Sequence, residues 1–497
     1  MRQLCLSSFS RLACVVLAAG LVLAAPAASS SPLAANTPDP AAVRQLVSLP
    51  FGILDHRMGL TLGLGYIAGE GFAFRSMAVD PEAIRRAHAR ADRQRNDAGS
   101  WYRLGLLLRA DRRPQEAAEA LSHAVRLALA AAERRPDDPQ AAELLARAQL
   151  ASGDPAAAAV TLRTAVERWP GRRSTRIALG LSLSIAGTPE SLHEAERVFD
   201  AAVALAPRNP DVYAARANFR FGRAREREAL DDYHRAGELG RDDPYALALA
   251  PWMEGAAAAP VTGGQLALDT TWAALSPSAR EAISRTTERL QRLCRHSDST
   301  VAGKALTALG FVRYELQHDV TGSLSALRAA LRRDPSRQDA REMILHIYGV
   351  EEQWDELAAC SEAWSRGKDS VRLRLIAAFA YSQAGRCAEA ASRLDEALRA
   401  EPNDLALLLT RAALALKHPQ DPGGDALAGS LLDKAAGLVD AQPEFRPEVA
   451  YFRGLHLALS GQSEAARAAL TEALSSPEAS GARQALALLA YCVSRIP

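Results

Sequence analysis

The chain has 497 residues, 48% of them hydrophobic and 5% aromatic, enough apolar material to bury a large core, which excludes overall disorder. Ala and Leu are abundant while runs of Val, Ile or Thr are few, so the composition favours helices over sheets. Lys plus Arg (59) balance Asp plus Glu (58) for a net charge of +1, and segments such as RAREREALDDYHR interleave the two signs; this excludes the one-sided basic stripe of a nucleic-acid binder.

At the N-terminus, Arg2 and Arg11 precede the apolar run LACVVLAAGLVLAA and then the small residues APAASSS. That order of charge, apolar run and small residues is the pattern of a cleavable secretory leader, and an A-x-A-like site at Ala25 to Ala27 sets the expected start of the mature chain. The run from Leu12 to Ala25 falls short of the ~20 residues of a spanning helix. Arg11 rules out RLAC as a lipidation box. The expectation is export, to the periplasm of a bacterium or to secretion, with no transmembrane span in the mature chain.

The segment Val43 to Val79 mixes Gly59, Gly63, Gly65, Gly69 and Gly71 with Phe, Tyr, Leu and Ile. It is too apolar for a solvated linker and lacks the context of a phosphate-binding loop. It either packs in the chain's own groove or docks on a partner or membrane surface. From Pro81, PEAIRRAHARADRQR reads as a helix covering the segment C-terminal to it.

The next stretch is WYRLGLLLRADRRPQEAAEALSHAV. Leu104, Gly105 and Leu108 follow Trp101 at helical spacing, a polar turn intervenes, and Ala117, Leu121 and Ala124 resume the spacing, which describes a helical hairpin with small residues at the close approach. Equivalent spacing returns at Ala158, Leu162, Ala165 and Pro170, at Ala195, Phe199, Ala202 and Pro207, and at Ala229, Tyr233 and Ala236; Gly153 and Gly187 are 34 residues apart. Between Pro244 and Ser276 the period lapses, with Pro251, Pro260, Gly263 and Gly264 punctuating the chain; Ser276 or Ser278 then offers a helix cap. Beyond it, Pro335 and Pro402 stand 67 residues apart, and Ala378, Tyr381, Gly385, Ala390, Leu394, Ala397 and Pro402 form the clearest copy.

About nine copies with this spacing make the chain resemble the tetratricopeptide repeat family, whose period is 34 residues. The resemblance implies an all-α solenoid of helical hairpins, each stacking on the next because none buries its apolar stripe alone, with a concave groove lined by first helices. The chain then divides into a leader (1–27), a Gly-rich apolar segment (28–80), a repeat block (81–243), a junction with one or more helices (244–300), a second repeat block (301–480) and a capping helix (481–497).

Counting the family's groove positions onto this chain gives Tyr102 and Arg109, Glu143 and Arg147, Ile177 and Leu181, Asn218 and Phe221, Phe311 and Tyr314, Leu375 and Phe379, Arg411, and Tyr451 and Leu455. Family members that clamp a peptide carboxylate use Lys and Asn one turn apart; here Asn218 has Ala214 in place of the Lys. The remaining surface suits an amphipathic helix or extended peptide, although the same residues also suit contacts between neighbouring helices. The scattered His residues form no H-x-x-x-H, and G-x-S-x-G and P-loop motifs are missing. No catalytic, metal or cofactor site is therefore expected. Cys294, Cys360, Cys387 and Cys492 remain after leader removal and read as small helix-face hydrophobes, with Cys360 and Cys387 the pair to test for a bridge.

The functional expectation is an exported scaffold binding another protein or peptide of unidentified nature. The alternatives are an enzyme or enzyme subunit acting through the non-repeat segments, and an array that associates with itself.

Overall fold

The structure, a computed structural model, describes residues 62–67, 71–76, 81–110, 113–240, 243–258, 261–262, 265–266, 275–365, 371–418, 424–442 and 445–475. The expected leader, residues 28–61 and the expected capping helix at 481–497 lie outside the described residues.

Among those residues there are 21 α-helices and two small hairpins. Strands β1 (Leu62–Ile67) and β2 (Gly71–Ser76) come first, then α1 (Pro81–Arg93). Four helical hairpins follow: α2 (Ala98–Ala110) with α3 (Pro114–Arg134), α4 (Pro139–Ala151) with α5 (Pro155–Arg168), α6 (Arg173–Ala186) with α7 (Pro189–Leu205), and α8 (Pro210–Phe221) with α9 (Glu226–Leu239). The junction holds α10 (Pro244–Ala258), the two-residue strands β3 (Val261–Thr262) and β4 (Gln265–Leu266), and α11 (Pro277–Leu293). Five further hairpins complete the series: α12 (Ser299–Gln317) with α13 (Val320–Arg333), α14 (Gln338–Val350) with α15 (Trp354–Ser365), α16 (Val371–Gln383) with α17 (Cys387–Ala400), α18 (Leu405–Lys417) with α19 (Gly424–Leu438), and α20 (Arg446–Leu459) with α21 (Ser463–Ser475).

Local chemistry sets the ends of these helices. Pro occupies the first turn of many, where its missing N–H costs nothing. Asp138, Asp154, Thr188, Asn209, Ser276, Asp298, Asp319 and Asp404 each accept a backbone N–H at a helix start. The turn inside a hairpin needs one residue in the left-handed region, supplied by Gly153, Gly187, Gly385 and Gly461 and, at a steric cost, by Ala224, His318 and Glu352.

Within hairpins, one close approach recurs. A Cβ placed on Gly105 would stand 2.5 Å from Leu121 Cγ, on Gly180 2.7 Å from Phe199 Cζ, on Gly310 2.7 Å from Leu327 Cγ, and on Gly454 2.6 Å from Leu470 Cγ. The second helix seats its large residue against a bare first-helix backbone. This reverses the usual sign of a helical Gly→Ala change. Gly437→Ala, on a helix with nothing within 4 Å of the new Cβ, raises stability by about 0.5–1 kcal/mol; Gly180→Ala lowers it by about 1–3 kcal/mol. Thermal unfolding of the two variants beside the parent chain checks the opposed signs, and a stabilised Gly180→Ala would contradict this packing.

The stack does not break at the junction. Helix α10 packs against α9, α11 and α12, and one buried cluster runs from Ala146 in α4 to Leu414 in α18. Pro251 differs from its reading as a helix breaker: it lies inside α10. Residues Tyr245 to Ala250 are all buried, so packing on three neighbours offsets the hydrogen bond that Pro removes. The array is thus the all-α helical-hairpin solenoid anticipated from the repeat, carrying two short β-hairpins as additions. Helix α1 stacks on α2 through Ile84, Ala87 and Ala91, buried with Leu104 and Leu108.

Candidate functional site

Curvature follows from which helices meet. Each first helix packs on its own second helix, and first helices also approach one another directly: α2 with α4, α4 with α6, α6 with α8, α10 with α12, α12 with α14, and α18 with α20. Successive second helices come less close. The first helices therefore line the inner, concave side.

Exposure along that side changes with position. In the N-terminal repeats Tyr102 and Leu181 are half-buried and Arg109 and Arg147 exposed. Further along, the first helices are enclosed on every side: Glu342 to Gly349 in α14, Leu375 to Tyr381 in α16 and Leu405 to Leu416 in α18 are continuously buried. A helix buried all round has neighbours on both faces. Part of that cover is the chain's own N-terminal region. The backbone of β1 and β2 lies against the first helices α8 and α14 and the junction helix α10, while α1 meets α16 and Arg85 pairs with Glu401. Of the two readings for the segment before Pro81, the described strands follow the first, lying in the chain's own groove.

The groove positions read from the repeat thus divide in two. Phe311 is 1% exposed, edge-on to Trp252 at 5.8 Å, and Phe379 is 2% exposed, edge-on to Trp354 at 5.7 Å. The Tyr314 hydroxyl donates to Glu351 Oε1 at 2.9 Å, and Arg411 Nε donates to Asp395 Oδ1 at 2.8 Å. Tyr451, against Phe452 at 5.0 Å, is buried, which pushes its phenol up, and Ile177, Leu375 and Leu455 are buried too. Phe221 is half-buried against the main core, and exposed Asn218 accepts the Tyr233 hydroxyl through Oδ1 at 2.6 Å.

In the N-terminal repeats, Arg109 Nη1 donates to the Ala151 carbonyl at 2.8 Å, and Arg147 Nε to that of Glu143 at 3.4 Å. Burial raises the Glu143 carboxyl, but Arg172, Ser174 and Thr175 all donate to its Oε1 at 2.8 Å and hold it below the usual carboxylate range. Glu143 is thereby committed to joining two repeats. Tyr102 and Arg147 keep accessible surface.

Three polar nodes inside the array have no counterpart in the repeat pattern. Arg372 donates Nη1 and Nη2 to Glu342 Oε1 and Oε2 at 2.7 and 2.6 Å, with both side chains buried. Tyr245 donates to Asp339, and Arg337 Nη2 reaches both, at 2.9 Å to the hydroxyl and 2.6 Å to the carboxylate, which ties α10 to the start of α14. Buried Asp232 accepts Arg216 at 2.7 and 2.9 Å and Arg220 at 2.8 Å. Burial opposes the Arg216 charge, yet its pairing with Asp232 and Asp200 raises its pKa. The available signal is a charged residue inside an otherwise apolar first helix, as in VRLRLIAAFAY.

Cys360 and Cys387 are free thiols, as is Cys294. Burial pushes the Cys294 and Cys360 thiols up. Cys387, at the start of α17, lies with Sγ 3.0 Å from His418 Nε2. Iodoacetamide at about pH 7.5 should therefore label Cys387 at least about tenfold faster than the other two; peptide mass analysis of a time course reads this, and equal rates at all three would count against it. Among the described residues no three His, Cys, Asp or Glu side chains gather in a metal-binding group, and no helix is long and apolar enough to cross a membrane.

No protein-family model and no curated protein matches the chain. Solved structures similar to it include yeast Tom70, at 13% identity and TM-score 0.39 over 83% of this chain and 91% of that one. The C-terminal part of a TPR repeat-containing protein from Cytophaga hutchinsonii matches at 14% and 0.34, over 63% and 98%. A tetratricopeptide repeat protein from Parabacteroides merdae matches at 14% and 0.29, over 72% and 99%. The architecture itself rests on the geometry of the stacked hairpins.

Proposed function

We propose that this chain, a tetratricopeptide-type repeat array, is a non-catalytic scaffold of the cell envelope that receives an amphipathic segment of another protein on the concave side of its N-terminal repeats. One observation carries this reading: α2, α4 and α6 leave Tyr102, Arg109, Arg147 and Leu181 at least partly accessible, while the later first helices are enclosed. A tyrosine and a leucine beside two guanidinium groups suit a helix or extended peptide that brings apolar side chains and carboxylates together. The Arg2, Arg11, apolar-run and small-residue pattern of the N-terminus supports export, and periplasmic residence in a bacterium is part of the proposal.

The test is crosslinked co-purification from the native cell envelope with mass-spectrometric identification of the partner, followed by binding to purified variants. Arg109→Glu combined with Arg147→Glu should weaken the identified partner by at least about tenfold, while Glu167→Lys, exposed on the second helix α5, leaves binding unchanged. Equal loss in both variants, or none in either, overturns the assignment.

A further inference from the structure

The hairpin formed by β1 and β2 is a guest of the repeat array. Helices α8 and α14 are already packed on their own second helices, and α10 on α9, α11 and α12, so the solenoid does not need the hairpin to complete a stacking unit. The hairpin, in contrast, needs the solenoid, because a two-stranded ladder is at best marginally stable alone in water. Its register pairs Leu62 with Ser76, Leu64 with Phe74 and Tyr66 with Phe72 on one face, and Gly63 with Arg75, Gly65 with Ala73 and Ile67 with Gly71 on the other. By sequence, the first set of pairs is Leu, Phe and Tyr apart from Ser76, and the second is mostly Gly and Ala.

The segment is also tethered. Only four residues of sequence separate it from α1, which is held at α2 and α16 and by the Arg85–Glu401 pair. That pair is partly exposed, with 44% and 27% of the two side chains accessible, so it contributes little and opens readily. A short tether gives the hairpin an effective concentration of order mM at the groove, which favours it over a free segment of equal intrinsic affinity.

We propose that strands β1 and β2 are a displaceable internal occupant of the central groove, and that a partner presenting a strand-forming segment with alternating aliphatic and aromatic residues reaches α8, α10 and α14 only by replacing them. The inference rests on the reading that the concave face receives partners. It concerns a different stretch of that face from Arg109 and Arg147, so the two tests read different residues and their failures are distinguishable.

The experiment uses the full chain and a synthetic peptide of residues 60–78. Leu64→Asp combined with Phe74→Asp places two like charges directly opposite within the first set of pairs and should release the hairpin. Hydrogen exchange in α8, α10 and α14 should then rise at least about tenfold, with the second helices α9, α13 and α15 unchanged. The peptide should bind the double variant and restore protection, and should not bind the parent chain. Gly65→Pro, which breaks the ladder without adding charge, should behave the same way, and circular dichroism confirms that both variants keep their helices. Unchanged exchange in both variants, a rise spread evenly over the whole array, or peptide binding that is equal in parent and variants overturns the proposal.

Discussion

Glu342→Gln should destabilise the C-terminal repeats by about 3–5 kcal/mol, among the largest single-residue effects expected in this chain. The carboxylate holds both terminal nitrogens of Arg372 at 2.6 and 2.7 Å, and the two side chains are 7% and 8% exposed. An amide cannot compensate the guanidinium charge, which is left in a poorly solvated site between α14 and α16. The pair itself is not a strong net source of stability, because bringing both charges out of water offsets most of their attraction. Hence Glu342→Leu combined with Arg372→Met should recover most of what either single change loses. Urea unfolding of Glu342→Leu, Arg372→Met and the double closes the cycle, and Trp354 and Trp364 in α15, between the two helices, report on the right region. Because stability in a stacked array is nearly one-dimensional, exchange in α14 to α17 should respond more than exchange in α2 to α5. A double variant as unstable as the singles, or a single loss below about 1 kcal/mol, would refute the argument.

Features that depend on neighbours in sequence are legible from the chain alone. The close approach at Gly105 and the Ser276 cap are set by contacts within one or two hairpins, and a period of one repeat carries the first of them. The ladder of β1 and β2 leaves only a faint local trace: Leu62, Leu64 and Tyr66 alternate with Gly63 and Gly65, a period of two that the surrounding glycines obscure. Its docking leaves none. That β1 and β2 meet α14, and α1 meets α16, depends on how far the superhelix turns over several repeats, and small rotations per repeat add up beyond what spacing encodes.

The same limit explains the groove residues. Offsets within a repeat place Phe311, Phe379 and Tyr451 on first helices correctly, but whether a first helix faces open groove or another element is decided elsewhere in the chain. A physical clue is present all the same. LALLLTRAALALK in α18 has no polar stripe, and a helix apolar all round is enclosed. Arg103, Arg109 and Arg147, by contrast, mark α2 and α4 as helices with one wet side.

Phe311→Ala and Phe379→Ala follow from that distinction, with an expected loss of about 3–5 kcal/mol each. Each ring is almost wholly buried, and each meets an indole edge-on, Trp252 at 5.8 Å and Trp354 at 5.7 Å, a geometry that adds about 0.5–1.5 kcal/mol to the area term. Both rings sit in the single cluster that spans the junction, so a cavity at Phe311 loosens α10 and α12 together rather than one repeat. Tyr102→Ala, at a half-buried position of α2, should cost about 1 kcal/mol and act mainly on partner binding. Denaturant unfolding and partner affinity, measured on all three variants, separate the two kinds of position. If Phe311→Ala kept parental stability while abolishing partner binding, the ring would be a groove contact, and the enclosure described for the central first helices would be wrong.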